Sequence, residues 1–240
     1  IIVNAHVQKL NFNNKSVESV SFFTGDKLNH AKANKEVILS AGAIGSPHLL
    51  QISGIGDSEK IKNQGIDIVH ELKGVGKNLQ DHLMFRPVYK LKNIKSLNRD
   101  VESLYSKFLM GLQYILKQSG PITMGASQVC AFTKSDPSRA TPNLQFHVQP
   151  LSTDILGVTP MHNFEGITPT VANIRPTSRG EINITSNDSR DNPTIKMNYL
   201  STEDDRIVAA KSLKLVRKIM LETETFKKYQ PEEYRPGVHI

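Results

Sequence analysis

Few residues in this 240-residue sequence have the types and spacing that chemistry asks for. Asp81 and His82 are adjacent, a carboxylate beside an imidazole, as a general acid and base would need. Their setting is Gly74-Val75-Gly76-Lys77-Asn78-Leu79-Gln80-Asp81-His82, a glycine-hinged loop rich in polar side chains. There the pair reads better as hydrogen-bonders that hold the loop. His147 lies in a strand pattern, Leu144-Gln145-Phe146-His147-Val148. It either faces a substrate cavity or serves the structure, and the second is commoner for a strand histidine. His30, His48, His70 and His162 mark no role. No pair of His or Cys residues has metal-ligand spacing, so no metal is expected. Cys130 is the only cysteine, which excludes an internal disulfide. Within Val129-Cys130-Ala131-Phe132 it reads as a small buried hydrophobe, not a nucleophile.

A different stretch is better suited to holding a ligand. An apolar strand pattern at 37–41 runs into fifteen residues, Gly42-Ala43-Ile44-Gly45-Ser46-Pro47-His48-Leu49-Leu50-Gln51-Ile52-Ser53-Gly54-Ile55-Gly56. This reads as strand, tight glycine turn, then a helix with Ser46 as N-cap and Pro47 at its first position. Such an arrangement places a nucleotide cofactor at a strand's carboxyl end. The helix is expected to stop at Ser53-Gly54-Ile55-Gly56, where glycines permit left-handed backbone or close approach of another segment.

Around this stretch, β-branched and apolar residues predict a hairpin from 3–10 and 17–23. The polar run 25–35 reads as a loop. A short helix is expected over 57–64, capped by Asp57 or Ser58 and closed by Gly65, then a strand over 66–72. Apolar residues at helical spacing predict a helix over 99–119, ended by Gly120-Pro121. Strands are expected at 128–133, 143–149, 170–174 and 181–185, alternating as in an antiparallel sheet with one face covered. A last helix opens at 201–205 with acids at its positive end, and Lys211, Lys214, Arg217 and Lys218 fall toward its negative end. The expected architecture is an α/β, Rossmann-like cofactor-binding portion over 1–90 joined to an α+β portion with an antiparallel sheet over 91–240.

The chain is long enough for two compact units. Its 38% hydrophobic and 22% charged residues suit a globular fold. No apolar run approaches the ~18 residues of a membrane span. The net charge of +7 is spread over lysines instead of forming a stripe, so nucleic acid is not an expected partner. Sequons at Asn14, Asn183 and Asn187 permit a secreted protein without requiring one. The start, Ile1-Ile2-Val3-Asn4-Ala5, and the end, Arg235-Pro236-Gly237-Val238-His239-Ile240, carry no leader and no evident terminal element. They read as the limits of an internal fragment.

The string from Gly42 to Gly56 resembles, position for position, the second signature of the glucose–methanol–choline (GMC) family of flavin-dependent oxidoreductases. The Gly74-to-His82 loop and Asn4-Ala5-His6-Val7 are similar to further family segments. So are Ser178-Arg179-Gly180-Glu181-Ile182, Asp191-Asn192-Pro193 and Asn198-Tyr199-Leu200-Ser201. Gly120-Pro121-Ile122-Thr123 with Ala131-Phe132 resembles the insect branch that includes glucose dehydrogenases.

The resemblance implies FAD as cofactor, with Val7 contacting the adenine through its backbone and Ala41 and Gly42 at the cofactor-binding turn. It implies oxidation of an alcohol or sugar CH–OH group, a base taking the hydroxyl proton while hydride passes to the flavin. The electron acceptor is left open. The family's phosphate loop and catalytic histidine have no match here and are expected before residue 1 and after residue 240, so no catalytic residue is assigned. A lyase that keeps FAD structurally, or a non-catalytic binding paralogue, are the alternatives the resemblance leaves.

Overall fold

A computed structural model describes residues 1–237. The chain forms two compact units, one of Ile1–Asp81 with Ser178–Ser201 and one of His82–Thr177 with residues 202 onward. The sequence reading places one boundary near residue 90. The polypeptide instead crosses back at Ser178, because the backbone of residues 180–184 finds its hydrogen-bond partners in the first unit.

In the first unit, β1 (Ala5–Asn13), β2 (Ser16–Thr24) and β3 (Lys27–Lys32) form an antiparallel sheet in that order. The expected hairpin is present, with Asn14 at φ 54° in its turn. β3 lies where polar composition suggested a loop. Gly25 at φ 60° closes a second tight turn, and an exposed edge strand with one ladder tolerates polar side chains.

α1 (Gly42–Ile52), β4 (Ile55–Gly56), α2 (Ser58–Lys62), β5 (His70–Glu71) and β6 (Lys77–Leu79) follow. Asp57 caps α2 as its type predicts, accepting from the amides of Glu59 at 3.2 Å and Lys60 at 3.4 Å. β4 and β5 pair in parallel, so the strand expected over 66–72 is reduced to two residues. Residues 37–41, expected as a strand, join no ladder among the described residues. A strand is made by its neighbours' hydrogen bonds, and here Ile38 stays 79% exposed.

The second unit opens with β7 (Met84–Phe85) and β8 (Val88–Lys90), then α3 (Leu97–Asp100) and α4 (Leu104–Lys117). The one helix expected over 99–119 is two. Val101 closes α3, and Ser103 caps a fresh start, its Oγ accepting from the Ser106 amide at 3.3 Å. A 3-10 turn at Pro121–Thr123 leads to β9 (Val129–Thr133), β10 (Leu144–Gln149) and β11 (Gly166–Asn173). β12 (Gly180–Asn183) and β13 (Thr194–Lys196) belong to the first unit, in the order β13-β12-β6.

α5 (Glu203–Arg217) then runs through a π-helical turn at Lys218–Glu222 to α6 (Glu224–Lys227) and β14 (Glu232–Arg235). Thr202 caps α5, its Oγ1 accepting from the Asp205 amide at 3.4 Å. β14 is an element the sequence reading did not expect, and it pairs with β8. Val238, His239 and Ile240 lie outside the described residues.

The second unit's sheet runs β14-β8-β11-β10-β9, with β7 also beside β11. Leu144, Phe146 and Val171 pack with Val208, Val216 and Met220 of the α5 region into one core. The first unit has a smaller core of Ile52, Ile61 and Ile184. Both follow from apolar residues recurring at strand or helix spacing.

Candidate functional site

The glycine turn that the sequence singles out is the start of α1, one turn earlier than the Ser46-Pro47 pair suggested. Ala41 is the N-cap residue, and Pro47 lies inside the helix. Ser46 does not cap; its Oγ accepts from the Ala41 amide at 3.1 Å. Gly42 has φ +80°, and no atom lies within 4 Å of where a Cβ would stand. The left-handed backbone favours glycine, while the space beside it is free. The first turn of α1 carries no acid, so its free amides and the positive end of its dipole suit an anionic group. These features fit a dinucleotide cofactor at Ala41 and Gly42.

Val7 lies half-buried in β1, opposite Phe22, and the pairing shifts register between Val7 and Lys9. Such a bulge unpairs backbone locally. β1 rests on the end of α1, where Ser53 Oγ accepts the Leu10 amide at 2.9 Å and donates to the Leu49 carbonyl at 2.6 Å. On α1, burial and then the nearby His6 hold the His48 imidazole below its ordinary value, so it is neutral at pH 7.

The glycine-hinged loop serves structure. Gly76, at φ +80°, runs under β12, and a Cβ there would strike the Ile182 carbonyl and the Gln51 amide. Its carbonyl accepts the Ile182 amide at 2.7 Å. Gly54, at φ +87°, similarly leaves room for the Asp67 carbonyl. Asp81 accepts a hydrogen bond from the Tyr199 hydroxyl, which holds that phenol above its ordinary value. The carboxylate is thus engaged in holding the loop, and His82 beside it is exposed.

In the second unit, Leu144 and Phe146 turn toward α5, so Gln145, His147 and Gln149 line the opposite face of the sheet. Thr170 and Cys130 flank His147 on the neighbouring strands. Thr170 is 2% exposed, and its Oγ1 is the one buried side-chain polar atom without a hydrogen-bond partner among the described residues. Gln149 is held by Arg86 at 3.1 Å and Ser127 at 3.2 Å. Cys130 is exposed, contrary to the buried position its apolar neighbours suggested. It lies on β9, the edge of the sheet among the described residues, and Gln145 Nε2 donates to its sulfur at 3.5 Å.

Sequence reasoning gave no role to Gln51 or Thr170. For Gln51 a signal existed: an amide inside the apolar run Leu49-Leu50-Gln51-Ile52 asks for a buried partner. Thr170 offered none, since threonine is ordinary in a strand.

Comparison with known proteins now gives this geometry its context. Two family models described as GMC oxidoreductase match residues 1–84 and 176–239. An "oxygen-dependent choline dehydrogenase" of Photobacterium profundum is 37% identical over 233 residues, 97% of this chain and 40% of that protein. The chain therefore spans well under half the length of this relative. Among solved structures, a formate oxidase superposes with a TM-score of 0.86 at 23% identity, over 96% of this chain and 45% of the other. An FAD-dependent oxidoreductase from Chaetomium thermophilum gives 0.81 at 22% identity, over 100% and 47%. At such identities the superpositions speak for the fold, and the sequence matches speak for kinship. The chain belongs to the GMC oxidoreductase family, a family of FAD-binding enzymes.

Proposed function

We propose that this chain is part of an FAD-dependent enzyme that oxidises the CH–OH group of a small alcohol, with residues 1–90 contributing to cofactor binding and the antiparallel-sheet portion to substrate binding. The observation that carries the reading is the open, left-handed Gly42 turn at the head of α1, inside the stretch that matches the family. FAD supplies the acceptor for the electron pair leaving the alcohol carbon. The chain's own residues bind and orient. The Val7 backbone, Ala41 and Gly42 hold the cofactor. His147, half-buried in β10, presents a ring nitrogen to the substrate, with Thr170 beside it on β11.

Two features bear on the alcohol. The relative described above is a choline dehydrogenase, whereas Gly120-Pro121-Ile122-Thr123 with Ala131-Phe132 resembles the glucose dehydrogenase branch. A cationic amino alcohol and a sugar are thus the two substrate classes to compare.

The test is anaerobic addition of choline, glucose and simple alcohols to the purified full-length protein while the flavin absorbance is followed. Bleaching by an alcohol supports the reading and names the class. Bound flavin that no alcohol bleaches would favour the lyase, and absence of flavin would overturn the cofactor assignment.

A further inference from the structure

Ser152, His162 and Asp154 form a chain of contacts in the second unit. His162 Nδ1 lies 3.1 Å from Ser152 Oγ, and its Nε2 lies 2.9 Å from Asp154 Oδ1. These are the members of a Ser–His–carboxylate set, but Ser152 is 0% exposed, so its hydroxyl reaches no substrate. The set serves something other than nucleophilic attack. Asn98, which joins it, is 0% exposed too, so the inner part of the network is already enclosed by the described residues.

Hydrogen-bond directions fix the proton on the ring. The Ser152 amide donates to Asn98 Oδ1 at 2.8 Å, so Asn98 presents its Nδ2 to Ser152 Oγ at 2.9 Å. An amide nitrogen only donates. The Ser152 hydroxyl proton then has one acceptor among the described residues, an unprotonated His162 Nδ1, while Nε2–H donates to Asp154. The closed network therefore requires a neutral ring. A second proton, on Nδ1, would point a donor at Ser152 Oγ and leave a buried hydroxyl proton unpaired. The surroundings offset this poorly. Asp154 favours a charged ring, but Arg235 Nη2 already lies 3.0 Å from the same Oδ1. Phe164 stacks on the ring with centroids 4.9 Å apart, and Tyr234 meets it edge-on at 5.2 Å. Lys90, itself 3.7 Å from Glu232, lies over both of those rings.

What the network holds is the connection from β10 to β11. Asn98 Nδ2 also reaches the Ser152 and His162 carbonyls at 3.1 and 2.8 Å, and the His162 amide donates to the Ser152 carbonyl at 3.1 Å. The loop is thereby pinned at its base to α3. We propose that His162 is a proton-operated latch: neutral, it closes the 151–165 loop onto Asn98; protonated, it releases the loop. Histidine is the side chain that changes charge between about pH 5 and 8, so the loop is held at neutral pH and loosened in acid.

The test is hydrogen–deuterium exchange of the full-length protein at about pH 7.5 and about pH 5.5, corrected for intrinsic exchange rates and read on peptides of residues 151–165. The wild-type loop should lose protection by at least about tenfold at the lower pH, while peptides of β10 and β11 keep theirs. His162→Gln retains a donor and an acceptor but does not titrate, and its loop should be equally protected at both pH values. Asp154→Asn keeps an acceptor for Nε2–H and removes the charge that favours a protonated ring, so its loop should stay protected at the lower pH. The Asp154 side chain is 43% exposed, so this variant serves even where His162→Gln fails to fold. A wild-type loop equally protected at both pH values would overturn the proposal, as would an acid-induced loss undiminished in the variants.

Discussion

Gln51 completes the backbone hydrogen bonding around Ile182. Its Nε2 donates to the Ile182 carbonyl at 2.9 Å, and its Oε1 accepts the Ile184 amide at 2.9 Å. Gln51 is 4% and Ile182 1% exposed, so neither backbone group has water as an alternative. One side chain near the end of α1 thereby ties β12 to the helix that begins at Gly42.

Gln51→Leu roughly keeps the volume and removes these two bonds, with a longer one to the Val75 carbonyl at 3.5 Å, leaving the buried Ile182 carbonyl and Ile184 amide unpaired. At about 1–3 kcal/mol for each orphaned group, a loss of roughly 3 kcal/mol is expected. Urea unfolding should show a lower midpoint with an unchanged slope.

Gly42 and Gly76 share φ +80° but differ in surroundings. Gly42→Ala should cost only the left-handed penalty of about 1–2 kcal/mol. Gly76→Ala adds a collision with the Ile182 carbonyl, and it should cost well over ~3 kcal/mol or prevent folding. If Gly42 borders FAD, Gly42→Val should lower the flavin-to-protein ratio by more than its stability loss explains. An undiminished ratio would sink the assignment.

Glu181 joins three elements: it pairs with Lys77 of β6 and, at 3.3 Å, with Lys60 of α2, while itself in β12. Hydrogen bonds from Lys77 and Lys60 bring its carboxyl from 4.5 down to about 2. Because the folded value is depressed, its stabilisation is present above the ordinary value and is lost as pH falls through about 2. Solvent reaches the cluster, so the effect is under about 1 kcal/mol. Glu181→Gln should be less stable than the wild type at pH 7, and the gap should close as the solution is acidified toward pH 2.

Thr170→Val removes an oxygen that is buried without a partner. Stability should hold or rise by up to about 1 kcal/mol. If the His147 face meets substrate, His147→Asn should lower kcat/KM for the alcohol. Steady-state kinetics unchanged in that variant would remove the face from the site.

Arg217 lies 2.8 Å from Glu233, whose side chain is 1% exposed. Arg217→Met strands that carboxylate, held then, among the described residues, by the Tyr89 hydroxyl at 3.4 Å and the Gly237 amide at 3.3 Å. Losing one partner of a buried pair costs about 3–5 kcal/mol. Because Arg217 itself is 31% exposed, about 2–3 kcal/mol is expected, read by thermal or urea unfolding.

The features legible in the residues alone are those fixed by local chemistry. Asp57 and Thr202 cap helices because their side-chain oxygens reach amides two or three residues on. Gly42 marks a turn because its backbone is left-handed, and the string around it was specific enough to point to the family. Tertiary structure decided everything that depends on a partner distant in sequence. Only folding brings β12 to Gln51, makes a strand of the polar β3, leaves Cys130 on an edge, and sets Thr170 opposite His147. A hydrogen-bond ladder or a buried amide takes its meaning from what lies across from it, and no window of neighbouring residues contains that information.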